Sequence, residues 1–383
     1  ATEPSIKDKL LGNFLGLPGR VQFVDEYAAV TKALKVGSER GIIDDVDAGN
    51  AEYALRFGKQ VGLFAGQALA NGPIKRVQDP RGPKGSYIYE SVKGPSMTQV
   101  AEALAKAGIE SDTQAEAMLT AYVAGQRAQA PGIGWKKLNL ADPAKAEQEY
   151  RDTMAYLDAN PKAKAAFEEA SSIYQKYNNG LIDMLVDTGE MKQAVANELK
   201  SRPYIPFYRV DGDSLNLFID KEHPIQIGNI KSQPELKSLV GGNQQIMPIF
   251  TSAVQNAFIL TRMGLRNQAI KDTAYRLHEM GIASTLGRGT GPTSPSTVRF
   301  KVKGEDHFAV IDQMFGKPGD KDYIPAELVV KGLEGIKTTL PQIFNVLGYP
   351  ADVLRKFVTR MPVYALRQVI RDPLTAWLTT GSD

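Results

Sequence analysis

The residues of this chain whose types and spacing bear on chemistry are its carboxylate pairs, its three histidines and its clustered arginines, and it contains no cysteine. That absence removes disulfides, thiolate zinc sites, iron–sulfur clusters and cysteine nucleophiles together. The carboxylate pairs Asp44-Asp45 and Glu168-Glu169 are of the type used in general acid–base work. Adjacent residues on a helix point about 100° apart, so neither pair converges on one substrate and both read as solvated face. His223, His278 and His307 lie far apart with no HExxH-like spacing, so structural roles are expected for all three. Gly287-Arg288-Gly289-Thr290-Gly291 contains Gly-x-Gly-x-Gly but precedes a strand instead of opening a helix. It therefore reads as a mobile turn and not as a phosphate-binding loop. No metal, cofactor or small-molecule substrate is called for by these residues.

Two further patterns concern contact more than catalysis. Arg355, Lys356, Arg360, Arg367 and Arg371 recur through a short stretch in which Asp372 is the one acid within reach. One interpretation is ordinary helix surface, with arginine stems covering apolar neighbours. The other is a surface for phosphate backbones or anionic lipid. The second pattern is Ala54, Gly58, Gly62, Gly66 and Ala70, small residues at every fourth position of one expected helix. A glycine costs about 1 kcal/mol relative to alanine inside a helix, so Gly58, Gly62 and Gly66 need a reason. Close approach of another backbone supplies one, either within a core or between associating helices. The apolar part is too short to span a bilayer, which favours packing within a core.

These residues must be carried by a mainly α, multi-helical framework. Length and composition fit a globular chain of two or three domains: 383 residues, 43% hydrophobic, and 46 basic against 43 acidic side chains, a net charge of +3. Helical periodicity covers 21–35, about 47–70, 97–107, 112–130, 142–157, 163–186 and 190–199. Ile74 to Val77 and Tyr87 to Tyr89 flank a glycine- and proline-rich turn centred on Asp79-Pro80-Arg81-Gly82-Pro83-Lys84-Gly85, the pattern of a small hairpin. Residues 201–246 then read as an extended junction, separating a helical N-terminal lobe, 1–200, from a C-terminal lobe, 247–383. The second lobe opens with a long helix, Ile249 to Met280. It also holds an antiparallel β-hairpin near 297–312, alternating around Lys303-Gly304, and returns to helix from Ala326. No apolar run reaches the length of a membrane-spanning helix. The chain opens with Ala1 and shows no signal-peptide pattern, so it reads as an internal piece or processed product of something larger.

Several segments together carry a resemblance. Asn178-Asn179-Gly180-Leu181-Ile182-Asp183-Met184-Leu185-Val186-Asp187-Thr188-Gly189, followed by Tyr204-Ile205-Pro206-Phe207-Tyr208-Arg209, resembles a unit recurring in very large polyvalent-type proteins of phages and conjugative elements. The hairpin from Phe300 to Ile311 and the stretch from Arg360 to Trp377 extend the likeness, with Gln368 where the family commonly has Asn and Pro373 where it has a small polar residue. The likeness covers roughly residues 150–383.

The resemblance implies a non-catalytic structural or interaction module of a large phage virion protein, injected with or ahead of the DNA, as in DNA-ejection (internal virion) proteins. It implies other virion or ejection proteins as partners, together with a second copy of the chain, DNA or the host envelope. The implied location is the virion, with delivery into the host envelope or cytoplasm. Two alternatives stand beside it: an accessory or DNA-protecting domain of a giant virion RNA polymerase or antirestriction protein, and a carboxylate-based cell-wall hydrolase.

Overall fold

Three of the helices begin where a side chain is placed to satisfy their first amides. A computed structural model describes residues 17–59, 61–91, 93–138, 142–201, 209–210, 245–246 and 248–335. It is mainly α, with eleven helices among those residues. The first three are α1 (Leu17–Glu39), α2 (Asp45–Lys59) and α3 (Val61–Asn71). The hairpin strands β1 (Ile74–Gln78) and β2 (Tyr87–Ser91) follow, paired antiparallel with Arg76 opposite Tyr89 and Gln78 opposite Tyr87. Next come α4 (Met97–Ala105), α5 (Asp112–Gln129), a single turn α6 (Gly134–Lys137), α7 (Pro143–Ala159), α8 (Pro161–Asp187) and α9 (Gln193–Lys200). Ser96, Ser111 and Asp142 cap α4, α5 and α7 by accepting from the amides of Gln99, Gln114 and Lys145. Each such cap is worth about 1 kcal/mol. Helix α8 stops at Thr188, and Gly189 takes the left-handed conformation there (φ 80°).

A two-residue pair, β3 (Arg209–Val210) with β4 (Gln245–Ile246), precedes the long helix α10 (Ile249–Glu279). Strands β5 (Ala283–Arg288), β6 (Thr297–Val302) and β7 (Glu305–Ile311) form an antiparallel sheet in the order β5-β7-β6, and α11 (Ala326–Gly335) closes the described chain. Lys303 and Gly304 both have positive φ (52° and 74°), the conformation that a two-residue turn between twisted strands requires. Strand β5 departs from expectation. The glycines from Gly287 onward predict a mobile turn, yet Gly287 and Arg288 pair along β7 opposite Phe308 and His307. The glycines beyond β5 fold over a ring, since a Cβ at Gly291 would overlap the side chain of Phe308. Arg299 pins the same loop through the carbonyls of Thr290 (2.6 Å) and Pro292 (3.3 Å).

Two apolar clusters fill the interior, and α10 runs through both. Its first half, including Ala253, Ala257, Phe258 and Leu260, packs with α3, α4, α5 and α8. Helix α8 contributes Phe167, Tyr174, Tyr177, Leu181 and Ile182, all fully buried. Burial of each such leucine, isoleucine or phenylalanine contributes about 1.5–3 kcal/mol. The second half of α10, with Ala269, Ala274 and Leu277, packs with α1, α2, the three-stranded sheet and α11. Val30, Leu34 and Leu55 therefore share a core with Phe300, Ile311 and Val329.

Gly58 of the small-residue stripe lies in α2 and Gly62 and Gly66 lie in α3, with residue 60 between them outside the described residues. Both helices pack against α10. Residues 211–244 of the expected junction, the segment 202–208 and the basic residues Arg355, Lys356, Arg360, Arg367 and Arg371 all lie outside the described residues. No helix among the described residues is long and apolar enough to cross a membrane.

Candidate functional site

Three elements meet at a polar cleft of about 350 Å³: α2, the β1–β2 hairpin and the second half of α10. On α2, Asp47, Asn50 and Tyr53 recur every third residue, which places them along one face. On α10, Gln268, Asp272 and Arg276 recur every fourth residue and form the opposing wall. Reasoning from motifs misses both spacings, although both are visible in the sequence. Their polar character among otherwise apolar helix faces is the signal that could have found them.

The hairpin is fastened to α2 by side chains acting as strand surrogates. Asn50 donates to the Gly85 carbonyl (3.0 Å) and accepts from the Tyr87 amide (3.1 Å), and the Tyr53 hydroxyl accepts from the Tyr89 amide (2.8 Å). Tyr53, Phe57, Tyr87 and Tyr89 build an aromatic block behind it, with Phe64 stacked on Phe57 at 4.4 Å. Burial pushes the Tyr53 hydroxyl up to about 12, and pushes those of Tyr87 and Tyr89 higher still with help from the nearby Asp272 carboxylate. All three phenols therefore stay protonated at neutral pH, and the Tyr87 hydroxyl donates to Asp272.

Opposite them, Asp272 is held by two donors. Its Oδ2 accepts from the Tyr87 hydroxyl (2.7 Å) and the Gln268 amide (2.6 Å). Gln268 in turn accepts from Lys271 (2.9 Å), whose ammonium also reaches the Thr188 carbonyl (3.4 Å). Burial lowers the Lys271 pKa, against the pull of Asp272. Arg276 pairs with Asp47 and, at 3.0 Å, with Glu279. Both carboxylates of the cleft are thus engaged by donors from neighbouring elements. What this arrangement does chemically is tie α2, the hairpin and α10 together through charge-assisted bonds.

The carboxylate pairs and the histidines, read from the sequence as solvated face and structural residues, are dispersed. Asp44 accepts from the Val46 amide (2.8 Å), while Asp45 accepts from the Ser38 hydroxyl. Glu169 pairs with Lys106 at the C-terminal cap of α4 (2.7 Å). The His278 ring meets the Ala283 carbonyl (2.9 Å), and His307 lies beside the Phe300 ring, their centroids 5.9 Å apart. His223 lies outside the described residues. Among the described residues no group of three His, Asp or Glu side chains is arranged to hold a metal ion.

A second polar junction joins the α8–α9 turn, α10 and the three-stranded sheet. Asn267 donates to the carbonyls of Thr188 (2.9 Å) and Lys301 (2.9 Å) and accepts from the Lys301 amide (2.6 Å). Its amide thereby pairs with the free edge of β6 as another strand would. Lys301 meets the buried Glu190 at 3.2 Å, and the Gly304 amide donates to the Gly189 carbonyl (2.8 Å). Burial raises the Glu190 pKa, with Lys301 opposing. No protein-family model, characterised protein or solved structure matches the chain.

Proposed function

We propose that this chain is a non-catalytic structural and interaction module of a large phage virion protein, carried in the particle and injected with or ahead of the DNA. One observation carries the proposal. Within the described residues, one of the segments that carry the resemblance, 178–189, is committed to packing and positioning. Asn178 is fully buried and accepts from Asn256 on α10 (3.1 Å). Gly180 faces Pro73, where a Cβ would come within 2.6 Å of the ring. Thr188 and Gly189 receive Asn267 and the tip of the β6–β7 hairpin. A motif whose members join one element to the next is what a scaffold requires. Its partners are then other virion or ejection proteins, and its site of action the host envelope or cytoplasm.

Quantitative mass spectrometry of purified particles, intact and after genome release in vitro, tests the proposal. Peptides of the chain are expected in intact particles and depleted from emptied ones. Peptides found only in infected-cell lysate, never in particles, would refute it.

A further inference from the structure

The β1–β2 hairpin and its flanks, residues 73–95, carry Lys75, Arg76, Arg81, Lys84 and Lys93 against Asp79 and Glu90. All five cations are exposed. Elsewhere the exposed cations commonly find acids: Arg40 meets Asp322, Lys106 meets Glu169 and Lys192 meets Glu305. Among the described residues, none of the five hairpin cations has a carboxylate at ion-pair distance. Arg76 instead lies over the Tyr87 ring, 5.1 Å from its centroid, which leaves the guanidinium edge open.

The tip that presents Arg81 and Lys84 is braced. Asp79 accepts from the Arg81 amide (2.9 Å), and the Ser86 hydroxyl donates to the Pro83 carbonyl (2.7 Å). The Gln78 side chain crosses the loop, donating to the Pro83 carbonyl (3.1 Å) and accepting from the Gly85 amide (3.2 Å). Pro80 and Pro83 restrict it further, and Asn50 ties its base to α2. Ordering costs are therefore met before any partner arrives. The body of the hairpin rests on α3 and α8, while Lys75 and Arg76 on β1 and Arg81 and Lys84 at the tip stay exposed. The cleft carboxylates that would oppose an anion, Asp47 and Asp272, are both engaged on the inner side.

From this we propose that the hairpin is a docking finger for the phosphate backbone of duplex DNA, read without regard to sequence. A braced hairpin carrying five exposed cations suits a regular polyanion. A bilayer is a poorer fit, because the tip residues Asp79 to Ser86 include no large apolar side chain to enter it. Strands packed against α3 and α8 are not a free ribbon that could enter the major groove and read base edges. The choice of duplex DNA as partner rests on the proposed virion role, whereas the geometry of the finger does not.

The test is fluorescence anisotropy of the full chain with a short labelled duplex of random sequence over a salt series. R81A/K84A is expected to reduce the slope of log affinity against log salt by about 2, one for each phosphate no longer neutralised. R81E/K84E is expected to weaken binding further. A control pair on α8, K162A/K176A, should leave the slope unchanged. Circular dichroism should be the same for all variants, since Arg81 and Lys84 are exposed. The proposal is overturned by an unchanged slope in R81A/K84A, by no salt-dependent duplex binding in the wild type, or by binding to anionic phospholipid vesicles in place of DNA. Particle content and duplex binding are separate readouts, so failure of either proposal is seen independently of the other.

Discussion

Replacing Asn267 by alanine should uncouple the three-stranded sheet from the helices. Asn267 is buried and makes three hydrogen bonds, two to the backbone of Lys301 and one to the Thr188 carbonyl. Each is worth about 1 kcal/mol net, so N267A should cost about 3 kcal/mol. Thr188 keeps a second donor in Lys271 at 3.4 Å, so the stranded groups are those on the β6 edge. With a urea slope of about 3 kcal/mol/M, the unfolding midpoint should fall by about 1 M at unchanged slope. N267D separates this account from mere loss of packing, because it keeps the shape and the acceptor for the Lys301 amide. It removes both donors and sets a negative charge against two carbonyl oxygens. Its folded-state pKa is then raised, so its deficit is present at neutral pH and relieved as pH falls through that pKa. Gly304→Ala tests the same joint from the other side, since a Cβ there would overlap the Lys192 amide nitrogen. The N267A/G304A double variant should fall short of additivity by more than about 0.5 kcal/mol. A midpoint shift below about 0.2 M for N267A, or full additivity in the double variant, would refute the role assigned to this joint.

Two glycines on helices should respond in opposite directions. A Cβ at Gly49 in α2 meets nothing within 4 Å, so G49A should stabilise by about 0.5–1 kcal/mol through helix propensity. At Gly180 the clash with Pro73 should outweigh the same gain, leaving a loss of about 1–2 kcal/mol. Melting temperatures that move the same way for both would contradict this. Alkaline stability should report Tyr53, whose folded pKa of about 12 lies above its unfolded value near 10. A group raised in this way favours folding fully below about pH 10 and loses that contribution as pH rises toward about 12. The stability difference between wild type and Y53F should therefore shift against the wild type across that window. A difference that is flat with pH would show that Tyr53 is not desolvated as described.

Local structure is largely legible in the sequence. The helix from Ile249, the end of α8 at Asp187-Thr188-Gly189 and the hairpin turn at Lys303-Gly304 follow from periodicity, capping and the demand for positive φ. The small hairpin around Asp79 to Gly85 is equally visible from its turn residues. Strand β5 is not, because Gly287 is a poor strand former and only pairing with β7 makes 283–288 extended. The cleft is hidden for a different reason. Asp47, Asn50 and Tyr53 look like ordinary polar helix residues until the hairpin is laid against them.

By itself, then, the sequence determined the helical framework, the turns and the exclusion of thiol chemistry, since each depends on residues close together in the chain or on one residue type. Only the tertiary structure decided which distant elements share a core. Leu34 and Leu55 lie beside Phe300 and Val329 because α10 is long enough, about 46 Å, to pass through two cores. The same long-range packing brings Asp272 to Tyr87 and Asn267 to the open edge of β6. Partner choice across such distances is set by shape and by the need to satisfy buried polar groups, and neither is written in local spacing.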